Sequence, residues 1–187
     1  MKTLIAFILA ATLPQMSAAC AQLSENVWLC DRGSQWEAAE WDTASDGSTL
    51  INGALVLNFT EHWPGFEITD DLSTLQEQFT TYSEWIAADG EAPLEVYQTD
   101  LLDIESGEAL RSIERNQIDG SETLSAIMLV QVSASRIMIF LDGPVGMDVR
   151  EMDAASREVL SLLKDNCADP VSCAADYIRP SASIERG

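Results

Sequence analysis

The chain has 187 residues, with 10 Lys and Arg against 31 Asp and Glu, a formal net charge of −21 and a sequence pI near 4.1. That balance excludes a sequence-independent nucleic-acid binder, which needs clustered cations to displace counterions from phosphates, and docking on an anionic bilayer through a polybasic patch. It does not mark disorder, because 47% hydrophobic residues, including five Trp, against 22% charged is core-forming material at the length of one domain.

Lys2 precedes an apolar run from Leu4 to Leu13, Pro14-Gln15 breaks it, and small residues follow at Ser17, Ala18, Ala19 and Ala21. This order is that of a secretory signal peptide, and the run is too short for a permanent span. Residues 1–19 are the expected leader, cleaved after Ala19 or, with Ala19-Cys20-Ala21 as the site, after Ala21. The mature chain is expected in the bacterial periplasm or secreted, with no membrane span. Ser17-Ala18-Ala19-Cys20 loosely resembles a lipobox, so a lipid-anchored envelope protein is an alternative through Cys20. Ser17 in place of the usual Leu, and the polar Pro14-Gln15 step, rank it below ordinary cleavage. Removing the leader takes away one Lys and no acid, which moves the charge from −21 to −22.

Export permits disulfides. Cys20, Cys30, Cys167 and Cys173 allow three complete pairings, among which sequence alone does not choose. The five-residue spacing of Cys167 and Cys173 suits a local bridge after a helix, worth about 2 kcal/mol in chain entropy. Cys30 then pairs with Cys20 if that residue is retained, or stays free. No C-x-x-C is present, and His62 is the single histidine, so neither a redox pair nor a zinc site is read here. No metal and no cofactor is expected.

Along the mature chain, Asn26 to Cys30 reads as a short strand, and Trp36 and Trp41 follow among acids before the turn Asp46-Gly47-Ser48. Ala54 to Thr60 is a strand and residues 61–66 a loop broken by Pro64-Gly65. The spacing of Leu75, Phe79, Tyr82 and Ile86 predicts a helix from Leu72 to Ala88, capped by Ser73 with Gln76 or by Asp71. After Pro93 the period changes, and four strands are predicted over 94–99, 109–117, 123–132 and 136–141. Short turns at Ser106-Gly107, Asp119-Gly120-Ser121 and Ser133-Ala134-Ser135 make them antiparallel neighbours. Residues 124–130 and 137–141 are apolar at odd and even positions alike, so layers must lie above and below them. A second helix over Val149 to Asp165 is marked by Val149, Met152, Leu160 and Leu163, with Val159 beside the stripe and Asp148 as its cap. Residues 166–187 form a cysteine-containing tail of little periodicity. The reading is α+β: an antiparallel sheet with helices packed on its faces, α/β/α sandwich-like, as one domain over 22–165.

That order resembles the PsbP-like and DcrB-like group of small exported domains. The matching stretches are Gln35-Trp36, Leu55-Val56-Leu57-Asn58, Asp71-Leu72, Asn116-Gln117-Ile118-Asp119-Gly120 and Ala155 to Lys164, within Trp28 to Lys164. The resemblance implies an accessory or binding protein rather than an enzyme. It carries over no functional residue, since the matched motifs are turns and apolar spacing, and it does not extend to the Cys167/Cys173 segment.

Chemistry-bearing motifs are sparse. There is no G-x-S-x-G and no glycine-rich phosphate loop before a Lys. His62, beside Trp63-Pro64, reads as a turn histidine stacked on an aromatic. Asp70-Asp71 suits a helix start, and Asp100 with Asp103 lacks the spacing of a calcium loop. The candidate binding residues are Trp28, Trp36, Trp41 and Trp63, which anchor ligands well if exposed together, and Arg111 and Arg115. The two arginines lie four apart on one strand with Ile113 between them, on one face, and could clamp an anion or a partner carboxylate. The expectation is an exported accessory or ligand- or protein-binding module without catalytic activity, its partner another envelope protein or a small ligand and not nucleic acid. A small periplasmic hydrolase built on acidic residues is the alternative.

Overall fold

The computed structural model describes residues 20–24, 26–30, 33–42, 49–63, 66–67, 74–118, 120–133 and 135–165, with the backbone alone at 21, 62, 63, 66, 67 and 118. The leader, the tail with Cys167 and Cys173, the expected caps Asp71 and Ser73 and the turn 46–48 lie outside the described residues, as do the side chains of His62 and Trp63.

A seven-stranded sheet dominates. Its order is β3 (Glu40–Trp41), β4 (Thr49–Asn52), β5 (Leu55–Thr60), β11 (Ser135–Asp142), β10 (Ser121–Val132), β9 (Gly107–Ile118) and β8 (Glu95–Ile104), and every neighbouring pair is antiparallel. The four strands expected after Pro93 form one meander, each longer than the apolar stretch that announces it, because polar residues at the ends still complete the backbone ladder. Gly107 is required at its turn, since a Cβ there would sit 1.9 Å from the carbonyl oxygen of Gln131. A smaller sheet joins β1 (Cys20–Gln22), β2 (Val27–Cys30) and β12 (Leu163–Asp165). Its outer strand β1 is tied to the central β2 by the Cys20–Cys30 disulfide, across directly opposed residues.

Helix α1 (Leu75–Ala88) puts Leu75, Phe79, Tyr82 and Ile86 against Leu110, Ile127, Leu129 and Met138. Helix α2 (Val149–Leu162) and the small sheet pack Met152, Val159, Leu160, Leu29 and Leu163 with Ala126, Met128, Val130, Ile137 and Ile139. Successive residues of β10 therefore point into different clusters, which is why that strand is apolar at both parities. Arg136 reaches from β11 to Gln78 of α1 at 3.1 Å.

Three boundaries differ from expectation. The first helix is capped by Thr74 with Glu77, one residue after the expected box, since Glu77 supplies a carboxylate where Gln76 would supply a neutral amide. The second helix starts at the expected Asp148 cap but ends at Leu162; Leu163 turns extended and pairs with Leu29, burying itself as a strand residue. Residues 61–66, read as a loop, hold the two-residue strand β6 (His62–Trp63) and the first residue of β7 (Phe66–Glu67), paired across the Pro-Gly break.

Candidate functional site

Alternation along β9 places Arg111, Ile113 and Arg115 on the face that α2 covers, and their surroundings separate the two arginines. Arg111 is 0% exposed and saturated. Its Nε and Nη2 bond both oxygens of Asp100 on β8 at 3.1 and 2.9 Å, Nη2 reaches Asp153 Oδ1 at 2.6 Å, and Nη1 reaches the Ser156 hydroxyl at 2.7 Å. Arg157 adds a second cation on Asp153 at 3.1 Å. Burial pushes the Asp153 carboxyl up, but the bonds and charges of Arg111 and Arg157 outweigh it and hold it below the usual carboxylate range. The cluster bolts α2 to the sheet edge.

Arg115 lies at the open end of the same row, beside a cleft of about 330 Å³ between Tyr97 on β8, Glu122 to Leu124 on β10 and the segment Pro144 to Val149 that leads into α2. Tyr97 is there because β8 carries a bulge: Val96 opposes Glu114 and Gln98 opposes Ile113, which leaves Tyr97 as the extra residue. The Arg115 guanidinium sits 5.9 Å from the Tyr97 ring centroid, bonds Glu95 at 2.6 Å and lies 3.8 Å from Glu122. Its Nε is buried and has no hydrogen-bond partner among the described residues. The bond to Glu95, then burial, raises the Tyr97 phenol, against the lowering effect of Arg115. Gly143 and Gly146 shape the far wall: a Cβ at Gly143 would meet Met147 Sδ at 2.4 Å, and Gly146 holds φ +90°. Val145 at the rim is 85% exposed. The cleft offers one ion-paired guanidinium, one aromatic face and an aliphatic rim.

The tryptophans are dispersed. Trp36 is fully buried in the α2-side core, its indole Nε1 without a partner among the described residues. Trp41 is half-buried, edge-on to Phe59 at 6.0 Å, and borders a second cavity of about 350 Å³ with Asp42 and Ile51. Trp28 is half-buried in β2, opposite Gln22 and Lys164. The three do not share one exposed surface. The side chain of Trp63 lies outside the described part.

One constellation escapes sequence reasoning. Glu114, Ser125 and Asp142 are directly opposed on β9, β10 and β11, making a polar row on the α1 face. Ser125 donates to Asp142 at 2.6 Å. Burial raises both carboxyls, opposed by hydrogen bonds from Ser112 to Glu114 and from Ser125 to Asp142. The only sequence signal is an acid or serine at core parity in each of three strands, which becomes meaningful once the register is known. Among the described residues no group of three or more His, Cys, Asp or Glu is arranged to hold a metal ion. No helix of the described residues is long and apolar enough to cross a membrane. No protein-family model matches the chain, and no curated protein matches it.

Proposed function

We propose that the chain is an exported binding module without catalytic activity, of the PsbP-like and DcrB-like kind, acting as an accessory protein in the bacterial envelope on a sandwich-like α/β/α frame. The observation that carries this reading is the Arg115–Tyr97 cleft with its exposed Val145 rim, whose side chains are suited to grip and not to react. The Cys20–Cys30 disulfide supports export, because such bonds persist in oxidising compartments. The polar row Glu114–Ser125–Asp142 favours the hydrolase alternative by its residue types, but Ser125 is 2% exposed and its hydroxyl is committed to Asp142.

The test is site-specific photo-crosslinking in cells exporting the full chain, with the probe at Val145 and a control probe at the exposed Glu84 of α1. A discrete adduct from Val145 that is absent from Glu84 is the expected result. Equal or no adducts at both positions would overturn the reading.

A further inference from the structure

Strand β8 ends the seven-stranded order, so ten residues from Glu95 to Ile104 present one backbone edge with no strand partner among the described residues. Exposed edges of that length are usually blunted by charge, bulges or cover. This one has charge and a bulge, yet it also gathers apolar surface. Six large hydrophobic side chains are exposed in the described residues, and four of them, Leu94, Val96, Tyr97 and Leu101, lie on β8 or immediately before it. A fifth, Val145, lines the cleft that Tyr97 also lines. Leu101 opposes Leu110 and Val96 opposes Glu114, so both sit on the α1 face, beyond the reach of the α1 cluster, while the bulge swings Tyr97 into the cleft. The apolar row on the α1 face and the cleft on the α2 face therefore flank one free edge, within reach of alternate side chains of an added strand.

Charge selects the occupant. The side chains that line the cleft or bond within it bring three carboxylates, Glu95, Glu122 and Asp148, against the single guanidinium of Arg115. Asp103 adds another exposed carboxylate along β8, and the whole chain carries −21. A second copy would lay acid on acid along an exposed edge, which is repulsive. We propose, resting on the binding-module reading above, that β8 and the adjoining cleft receive an extended, cationic segment of a partner protein. The segment adds as an eighth strand through backbone hydrogen bonds. Its alternate apolar side chains cover Val96 and Leu101, and a Lys or Arg enters the cleft between Tyr97 and Glu122, with its aliphatic stem against Leu124 and Val145. The carboxylates that keep copies of this chain apart are the same ones that attract the segment.

Titration of the full mature chain with a short synthetic peptide of alternating lysine and valine, followed by fluorescence anisotropy, tests this. A matched peptide with glutamate for lysine, and one N-methylated at alternate backbone nitrogens, serve as controls. The lysine peptide is expected to bind, to lose about tenfold in affinity on N-methylation or with Leu101→Glu, and to weaken as salt rises. The glutamate peptide is expected not to bind. Leu101 is 59% exposed, so its replacement leaves the fold standing, which the melting temperature checks. Unchanged binding of the N-methylated peptide or by Leu101→Glu would reduce the effect to diffuse charge attraction and overturn the proposal. So would failure of the lysine peptide to bind at low salt, or a dimer of the chain alone that Leu101→Glu abolishes. A Val145 adduct that persists when the peptide fails leaves the binding-module reading intact and removes only the cationic segment.

Discussion

Arg111 and Arg115 share a strand, a face and a charge, and they differ because of what the fold brings opposite them. Asp100, Asp153 and Ser156 converge on Arg111 from β8 and α2, so its removal strands two carboxylates against the sheet. Arg111→Met is expected to cost about 2–4 kcal/mol in denaturant unfolding, less than a fully buried pair would, because Asp100 and Asp153 keep partial access to water. Arg115→Gln, at a side chain that is 41% exposed, is expected within about 1 kcal/mol of the parent. That both arginines face one way was legible in the sequence from their spacing; that one would be sealed was not, because Asp153 lies 42 residues away and arrives only when α2 docks. Glu114 gives a second residue-level prediction. Burial raises its folded pKa, so the associated stability is fully present below the unfolded pKa and is lost as pH rises through the folded value. Glu114→Gln is therefore expected to raise stability at pH 7 and to make no difference near pH 3. A constant gain at both pH values would show a packing effect instead.

Elements show where sequence periodicity is a good guide and where it stops. The meander β8 to β11 and the Asp148 start of α2 were legible because each has a local cause: turn residues at fixed offsets, alternation, a capping box with Glu151. The end of α2 was not, because Leu163 continues a helical stripe as well as it continues a strand, and only its pairing with Leu29 decides between them. The cap carries a prediction, since the Asp148 carboxylate accepts from the Arg150 and Glu151 amides at 2.8 and 2.9 Å. Asp148→Ala is expected to cost about 1 kcal/mol, and to loosen the cleft wall, seen as faster amide exchange across 144–151. Strand β1 bears on processing. Its Cys20 sulfur is bonded to Cys30, a closure of ten positions in sequence worth about 3 kcal/mol of chain entropy. Cleavage after Ala21 would discard this bond, and a lipid thioether on Cys20 would occupy the same sulfur. On the proposed export with cleavage after Ala19, non-reducing peptide mapping is expected to find an N-terminal Cys20 peptide linked to the Cys30 peptide. A mature chain starting at Gln22, or a lipidated Cys20, would refute that assignment.

At the scale of the whole molecule, the formal net charge of −21 sets how stability responds to solution conditions. Cations are few, and among the described residues Arg111, Arg115, Arg157 and Lys164 are spent on Asp100, Asp153, Glu95, Glu122 and Glu105. The remaining acids repel one another in the compact state and relax on unfolding. Salt weakens the exposed pairs, each worth at most about 1 kcal/mol, and it also screens the larger sum of like-charge repulsions, while the buried Arg111 cluster is screened much less. The melting temperature at pH 7 is therefore expected to rise with sodium chloride. Acid acts in the same direction at first. Glu114 and Asp142 have raised pKa values, so they take up protons above the ordinary carboxylate range and remove a cost of burial, and the surface acids follow. Asp153 has a lowered pKa, so the stability it lends through Arg111 is held until pH falls through its depressed folded value. The two opposed shifts place the stability maximum on the acid side of neutrality. A melting-temperature profile that is flat or falls between pH 8 and pH 5, or one that drops with added salt, would show that self-repulsion does not govern this fold.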